Sequence, residues 1–233
     1  MKIAEKINYW RRLCVLALIA CCLMVASCSG NDRATNSNTS ETNAEGIDEA
    51  RIKRNVKPAP DDEVAVIETE FGTIVIELYS NVAPQMVARF KQLVSEEVYN
   101  GTAFHRIDSS LGIIQGGDPL SKDDDPENDG TGNSKYPDVP AELSDLKYEA
   151  GTVGAARQSL DTANSQFFVT VKPQPSFNER YTIFGRVIRG LDNARVIMTA
   201  PVEEASESRP QSSVRITRAT LAPRASYAAR GTP

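Results

Sequence analysis

With 233 residues, 40% of them hydrophobic and 24% charged, the chain has an ordinary globular composition, which excludes a wholly disordered chain, a collagen-like repeat and a multi-span membrane protein. The net charge is −5, yet residues 1–27 carry Lys2, Lys6, Arg11 and Arg12 against Glu5, a local +3 that leaves −8 for the remainder. An acidic body without a basic tract argues against nucleic acid as a partner, because neutralising phosphates takes clustered Lys and Arg. All four cysteines (Cys14, Cys21, Cys22, Cys28) fall within the first 28 residues. Beyond Cys28 there is therefore no disulfide scaffold, Cys-ligated zinc or catalytic thiol, and His105 is the single histidine.

The basic residues at the start precede an apolar run, 13–26. As a helix this run rises only about 21 Å, short of the roughly 30 Å hydrocarbon core of a bilayer. The layout is that of an export signal rather than a permanent span. Its end, Val25-Ala26-Ser27-Cys28, resembles a bacterial lipobox, which implies cleavage before Cys28 and acylation of that cysteine. The acyl chains would hold the protein on a membrane by burying methylenes. The expected location is the bacterial cell envelope, lipid-anchored on the periplasmic side or at the outer membrane. Residues 28–61 are rich in Asn, Ser, Thr, Glu and Ala and read as a solvated tether. A flexible coil of that length spans roughly 30 Å. Residues 62–221 form the expected folded unit, and 222–233 a loose tail.

Within that unit, Glu63–Glu68 and Thr73–Tyr79 alternate apolar and polar residues around Phe71-Gly72, the pattern of a β-hairpin. Pro84 suits the first turn of a helix whose apolar positions Val87, Phe90, Leu93 and Val94 recur at helical spacing to about Val98. Short β-branched and aromatic runs follow at Phe104–Ile107, Ile113–Gln115, Thr152–Ala155, Gln166–Val171 and Tyr181–Ile188. A second helix over Leu191–Thr199, stopped before Pro201, precedes a last strand over Ser213–Thr220. Many short strands with two helices indicate a closed antiparallel barrel rather than βαβ units.

Three segments in order, Phe104-His105-Arg106, Ile114-Gln115-Gly116-Gly117-Asp118 and Asn164-Ser165-Gln166-Phe167-Phe168, are joined by Phe71-Gly72 upstream and Tyr181-Thr182-Ile183-Phe184-Gly185 downstream. In this order and spacing the chain resembles the cyclophilin-type peptidyl-prolyl cis-trans isomerases over about Val64 to Leu221. The resemblance implies a mainly β fold, a closed eight-stranded antiparallel barrel capped by two α-helices. It also implies catalysis of rotation about X–Pro bonds in proline-containing polypeptides, here exported or envelope proteins whose folding is assisted. A monomer is the expected state.

That rotation faces a barrier of about 18–20 kcal/mol set by amide resonance. No bond is made or broken, so neither nucleophile nor metal nor cofactor is required. The site must hold the proline ring and stabilise an amide whose nitrogen has become pyramidal, a task suited to a permanently charged guanidinium. By the resemblance, Arg106 is the catalytic residue, Gln115 hydrogen-bonds the substrate backbone, and Phe168 floors the proline pocket. Ile113 lines that pocket, and Gln166 and Ala156 line the peptide groove. In a strand Arg106 projects opposite His105, and Phe168 opposite Phe167, which reads as core.

The chain also departs from the family pattern. One extra residue lies between Arg106 and Gln115, and Leu111 or Gly112 stands where a pocket aromatic is usual. Arg157 replaces a groove asparagine, and Ser176 a tryptophan that matters for cyclosporin contact, with Phe177 as the neighbouring wall residue; Tyr181 replaces a pocket histidine. The missing aromatic leaves open a second reading, a module or holdase that binds proline-containing segments with little turnover. An EF-hand register starting at Asp125 fails at its twelfth position, Tyr136, where a bidentate glutamate is needed. The acidic run around it reads as a solvated loop.

Overall fold

A computed structural model describes residues 46–206 and 208–227. The leader, Cys28 and the first part of the expected tether lie outside the described residues, as do residues 228–233. No helix among the described residues is long and apolar enough to cross a membrane.

The hairpin forms as its alternation dictates: β1 (Glu63–Thr69) pairs with β2 (Gly72–Leu78), Ala65 opposite Ile76 and Ile67 opposite Ile74. Helix α1 (Pro84–Ser95) carries proline in its first turn and buries Met86, Val87, Phe90, Leu93 and Val94 along one face. Its first N–H groups, which have no partner within the helix, are received from across the chain. The buried Glu142 carboxylate accepts the amides of Gln85 (3.1 Å) and Met86 (2.9 Å), a charge that also suits the positive end of the helix dipole. The ring of Phe90 then packs 5.1–5.4 Å from those of Phe184, Tyr99 and Phe167, centring an aromatic core.

The remaining strands are β3 (Arg106–Asp108), β4 (Ile113–Gly116), β5 (Thr152–Ala155), β6 (Phe167–Thr170), β7 (Ile183–Arg189) and β8 (Ile216–Pro223). Helix α2 (Leu191–Met198) lies between the last two. It starts at Gly190, whose φ of 81° puts the chain in the left-handed region; a Cβ there would fall 1.9 Å from the Thr73 carbonyl oxygen.

All eight strands join one antiparallel sheet in the order β3-β4-β6-β5-β7-β2-β1-β8. The sheet curls into a half-barrel, so the expected closure is only partial. Strands β3 and β8 remain its two edges, and the seam is bridged just ahead of both, where Ala103 pairs with Arg215 and the Phe104 amide donates to the Val214 carbonyl (2.8 Å). Strand β3 itself spans only three residues before the chain turns. Strand assignment begins at Arg106 rather than Phe104, and α1 ends at Ser95 before a series of turns to Gly101.

The boundaries at both ends need correction. Residues 47–53, expected within the tether, pack on the folded unit. Ile47 and Ile52 are buried against Leu143, the Lys53 amide donates to the Leu143 carbonyl (2.9 Å), and the Arg51 guanidinium forks onto Asp161 at 2.5 and 3.0 Å. Two isoleucines in a polar stretch show no periodicity, and the surface that receives them lies some 90 residues away in sequence. The tail likewise starts later than 222, since β8 runs to Pro223 and Tyr227 packs with Val64, Val66 and Val75.

Candidate functional site

Strand register assembles the site. Arg106 on β3 lies opposite Gln115 on β4, Gln115 opposite Phe168 on β6, Phe168 opposite Gly154 on β5, and Gly154 opposite Ile183 on β7. Residues directly opposite share a face of the sheet, so this row crosses five strands on one side. One residue along, Ile107, Ile114, Val169 and Val153 form the adjacent row and lie in the main core. The period of two thus gives Arg106, Gln115 and Phe168 one face and the core the other. Phe167 accordingly sits in the main core and Phe168 in a separate cluster.

That second cluster has a buried floor of Ile113, Tyr148, Phe168 and Ile183 and a half-exposed rim of Leu111, Ala156, Phe177 and Tyr181, with Leu146 beside it. Phe168 is edge-on to Phe177 and Tyr181, with centroids at 5.5 and 5.7 Å, and stacks on Tyr148 at 5.6 Å. Gly154 makes room for these rings: a Cβ there would meet the Tyr148 hydroxyl oxygen at 2.4 Å and Phe168 Cζ at 2.5 Å. Leu111 packs in this cluster, whereas Gly112, with φ of 67°, lies beneath the Lys172 side chain. Ser176 sits exposed in the short 3-10 turn Pro175–Phe177, which presents Phe177 to the pocket.

Beside the aromatic pocket lies a hollow of about 90 Å³ that brings Gln115, Ala156, Arg157 and Gln166 together with Asn133 and Thr162. Its polar wall is tightly held. Gln115 Nε2 donates to Gln166 Oε1 (3.0 Å), and Gln166 Nε2 donates to the carbonyls of Gly130 (3.0 Å) and Gly132 (2.9 Å). The Arg157 guanidinium lies 4.7 Å over the Tyr181 ring and donates to the Arg180 carbonyl (2.8 Å), so the positive charge at this position is braced against the rim.

The Arg106 side chain is 40% exposed and does not line the hollow itself; its Nη2 donates to Asp108 Oδ2 at 2.8 Å. Partial burial pushes the Asp108 carboxyl upward, but hydrogen bonds from the Ser110 hydroxyl, the Leu111 amide and Arg106 outweigh it and hold the group below the usual carboxylate range. His105 turns away from the row and is buried, and its burial lowers its pKa. It lines a different hollow of about 220 Å³ together with Asp129 and Arg209.

Two residues of this site were not anticipated from sequence. Tyr148 precedes Gly151 in a stretch without strand or helix periodicity, and Asp108 falls just beyond the expected strand Phe104–Ile107. The i, i+2 spacing of Arg106 and Asp108 in a strand was the one available signal, since it puts opposite charges on one face.

Comparison with known proteins agrees with this architecture. Residues 64–221 match the family described as cyclophilin type peptidyl-prolyl cis-trans isomerase/CLD. A Brucella suis protein named "Probable peptidyl-prolyl cis-trans isomerase" is 40% identical over 139 residues, covering 58% of this chain and 70% of that one. The human peptidyl-prolyl cis-trans isomerase-like 1 is 38% identical over 159 residues, 66% of this chain and 89% of the relative. Among solved structures, a Cryptosporidium parvum cyclophilin type peptidyl-prolyl cis-trans isomerase, crystallised in the presence of the dipeptide Ala-Pro, superposes with a TM-score of 0.61 at 27% identity. That match covers 68% of this chain and 98% of that one.

Proposed function

Because the chain belongs to the cyclophilin-type peptidyl-prolyl cis-trans isomerase family, we propose that it accelerates X–Pro isomerisation in exported or envelope proteins, with Arg106 as the residue that stabilises the twisted amide. The observation that carries this reading is the register row: a partly exposed guanidinium, an amide side chain and an aromatic floor share one face of the sheet. The pocket formed by Phe168, Ile113, Leu111, Phe177 and Tyr181 takes the proline ring, apolar surface against apolar surface. Gln115, Gln166 and Ala156 receive the backbone that precedes it, and Arg157 adds positive charge beside that path. As the X–Pro bond twists, its nitrogen loses resonance and becomes pyramidal and basic. A donor fixed nearby binds that state better than the planar one, which is how a rate rises without covalent chemistry. An acceleration of 10⁵ takes only about 7 kcal/mol of such preference.

The Ala-Pro dipeptide of the Cryptosporidium structure is the class of ligand expected to bind here. Exchange NMR on a short Ala-Pro peptide tests the reading. Full-length protein at micromolar concentration is expected to speed cis-trans exchange well above the tens-to-hundreds-of-seconds uncatalysed time. Peptide binding without faster exchange would favour a holdase instead.

The lipobox-like Val25–Cys28 and the basic, apolar leader support a lipid-anchored place in the bacterial envelope. Wild type is expected in the membrane fraction and Cys28→Ser in the soluble one. A serine variant that stays with the membrane would count against acylation.

A further inference from the structure

We propose that Asp108 is the positioning residue for Arg106: one carboxylate oxygen fixes the guanidinium at the rim of the pocket, while the other fixes the loop that carries Leu111. This rests on the reading of Arg106 as the group that meets the substrate amide.

Arginine has a long stem and loses much rotamer freedom when it is held, so an exposed guanidinium meets a substrate in one pose only if something anchors it beforehand. The Arg106 side chain is 40% exposed, while Asp108 is only 15% exposed. Two residues apart on β3, they share the site face, with Ile107 between them turned into the core. The Nη2–Oδ2 contact of 2.8 Å engages one of the five guanidinium N–H groups and leaves the rest of the fork uncommitted to Asp108.

An anchor helps only if it is itself rigid. Asp108 Oδ1 accepts the Leu111 amide (2.9 Å) and the Ser110 hydroxyl (2.6 Å), and the Gly112 amide donates to the Asp108 carbonyl (2.7 Å). The Leu111 carbonyl in turn accepts from Gln174 Nε2 (2.9 Å). The turn that holds the carboxylate is therefore the turn that seats Leu111 against the aromatic cluster. Catalytic charge and pocket wall are set by a single side chain.

Single-turnover and steady-state isomerisation of an Ala-Pro peptide, followed for wild type, Asp108→Asn, Asp108→Ala, Arg106→Ala and the double variant Arg106→Ala/Asp108→Asn, tests this. Asn keeps an oxygen for the Leu111 amide but turns a neutral amide toward the guanidinium. Asp108→Asn is expected to lower kcat about fivefold or more with KM within twofold and an unchanged melting temperature. Asp108→Ala is expected to lose the same and to raise KM as Leu111 loosens. In the double variant the Asn substitution is expected to cost nothing further, because a residue acting through Arg106 has no effect without it. Losses that multiply in the double variant, or an Asp108→Asn enzyme as fast as or faster than wild type, would overturn the positioning role. If Arg106→Ala matches wild type, it is the reading of Arg106 that fails.

Discussion

Replacing Arg106 by alanine is expected to lower kcat/KM for an Ala-Pro peptide at least tenfold, a loss of roughly 1.4 kcal/mol or more of transition-state binding. The expectation is unusually free of folding artefacts. The side chain is 40% exposed, packs in neither apolar cluster of the site region, and among the described residues its salt bridge is to Asp108, a residue held independently by Ser110 and Leu111. A pair whose guanidinium stands this far in solvent contributes about 0–1 kcal/mol to stability after screening, and Asp108 keeps its bonds from Ser110 and Leu111, so the variant is expected to melt close to wild type. A stable but slow protein then isolates the guanidinium's part in the chemistry. Arg106→Lys refines the point: it keeps the charge while losing the planar fork, and an intermediate rate is expected if the geometry of the donors matters as well as their charge. If the alanine variant and wild type exchange the peptide equally fast, the twisted amide is stabilised by something other than this residue.

Why these residues could be found in the sequence, and others not, follows from how each is held. Arg106, Gln115 and Phe168 lie in strands, where a period of two ties identity to face, so the row across β3, β4 and β6 is implied once the strands are recognised. The Phe167/Phe168 division follows in the same way, one ring to each cluster. The hairpin and both helices carry strong local patterns and appear within a few residues of their expected bounds. What escapes is held by long-range contact. Ile47 and Ile52 look like strays in a polar segment until Leu143 receives them. Tyr148 becomes a floor residue only because Gly154 and Phe168 come beneath it. Closure of the barrel depends on whether two edges meet, and periodicity within a strand carries no information about that. The extra residue between Arg106 and Gln115 is visible in the sequence, but the hydrogen bond by which Asp108 caps the Leu111 amide in that turn is not.

Asp118→Ala is expected to destabilise the protein by about 3–4 kcal/mol, because it removes a buried carboxylate that accepts three backbone N–H groups. Asp118 is fully buried. Its Oδ1 accepts the Leu120 amide at 2.8 Å, and its Oδ2 accepts the amides of Gly130 and Gly132 at 2.6 and 3.0 Å. Hydrogen bonds to a charged acceptor are stronger than neutral ones, and truncation removes the acceptor of three N–H groups, of which that of Gly132 is buried. Asparagine offers a single acceptor oxygen and is expected to recover only part of the loss. Urea midpoints at neutral pH with an unchanged m-value measure both variants. A loss below 1 kcal/mol for the alanine variant would mean that water enters and replaces the carboxylate. The effect also reaches the site. The carbonyls of the same two glycines hold Gln166 Nε2, and Gln166 Oε1 holds Gln115, the residue opposite Arg106. Where the Asn variant is still fully folded, its KM for the peptide is therefore expected to rise more than its kcat falls, since the groups it loosens are those proposed to receive the substrate backbone rather than the one proposed to meet the twisted bond.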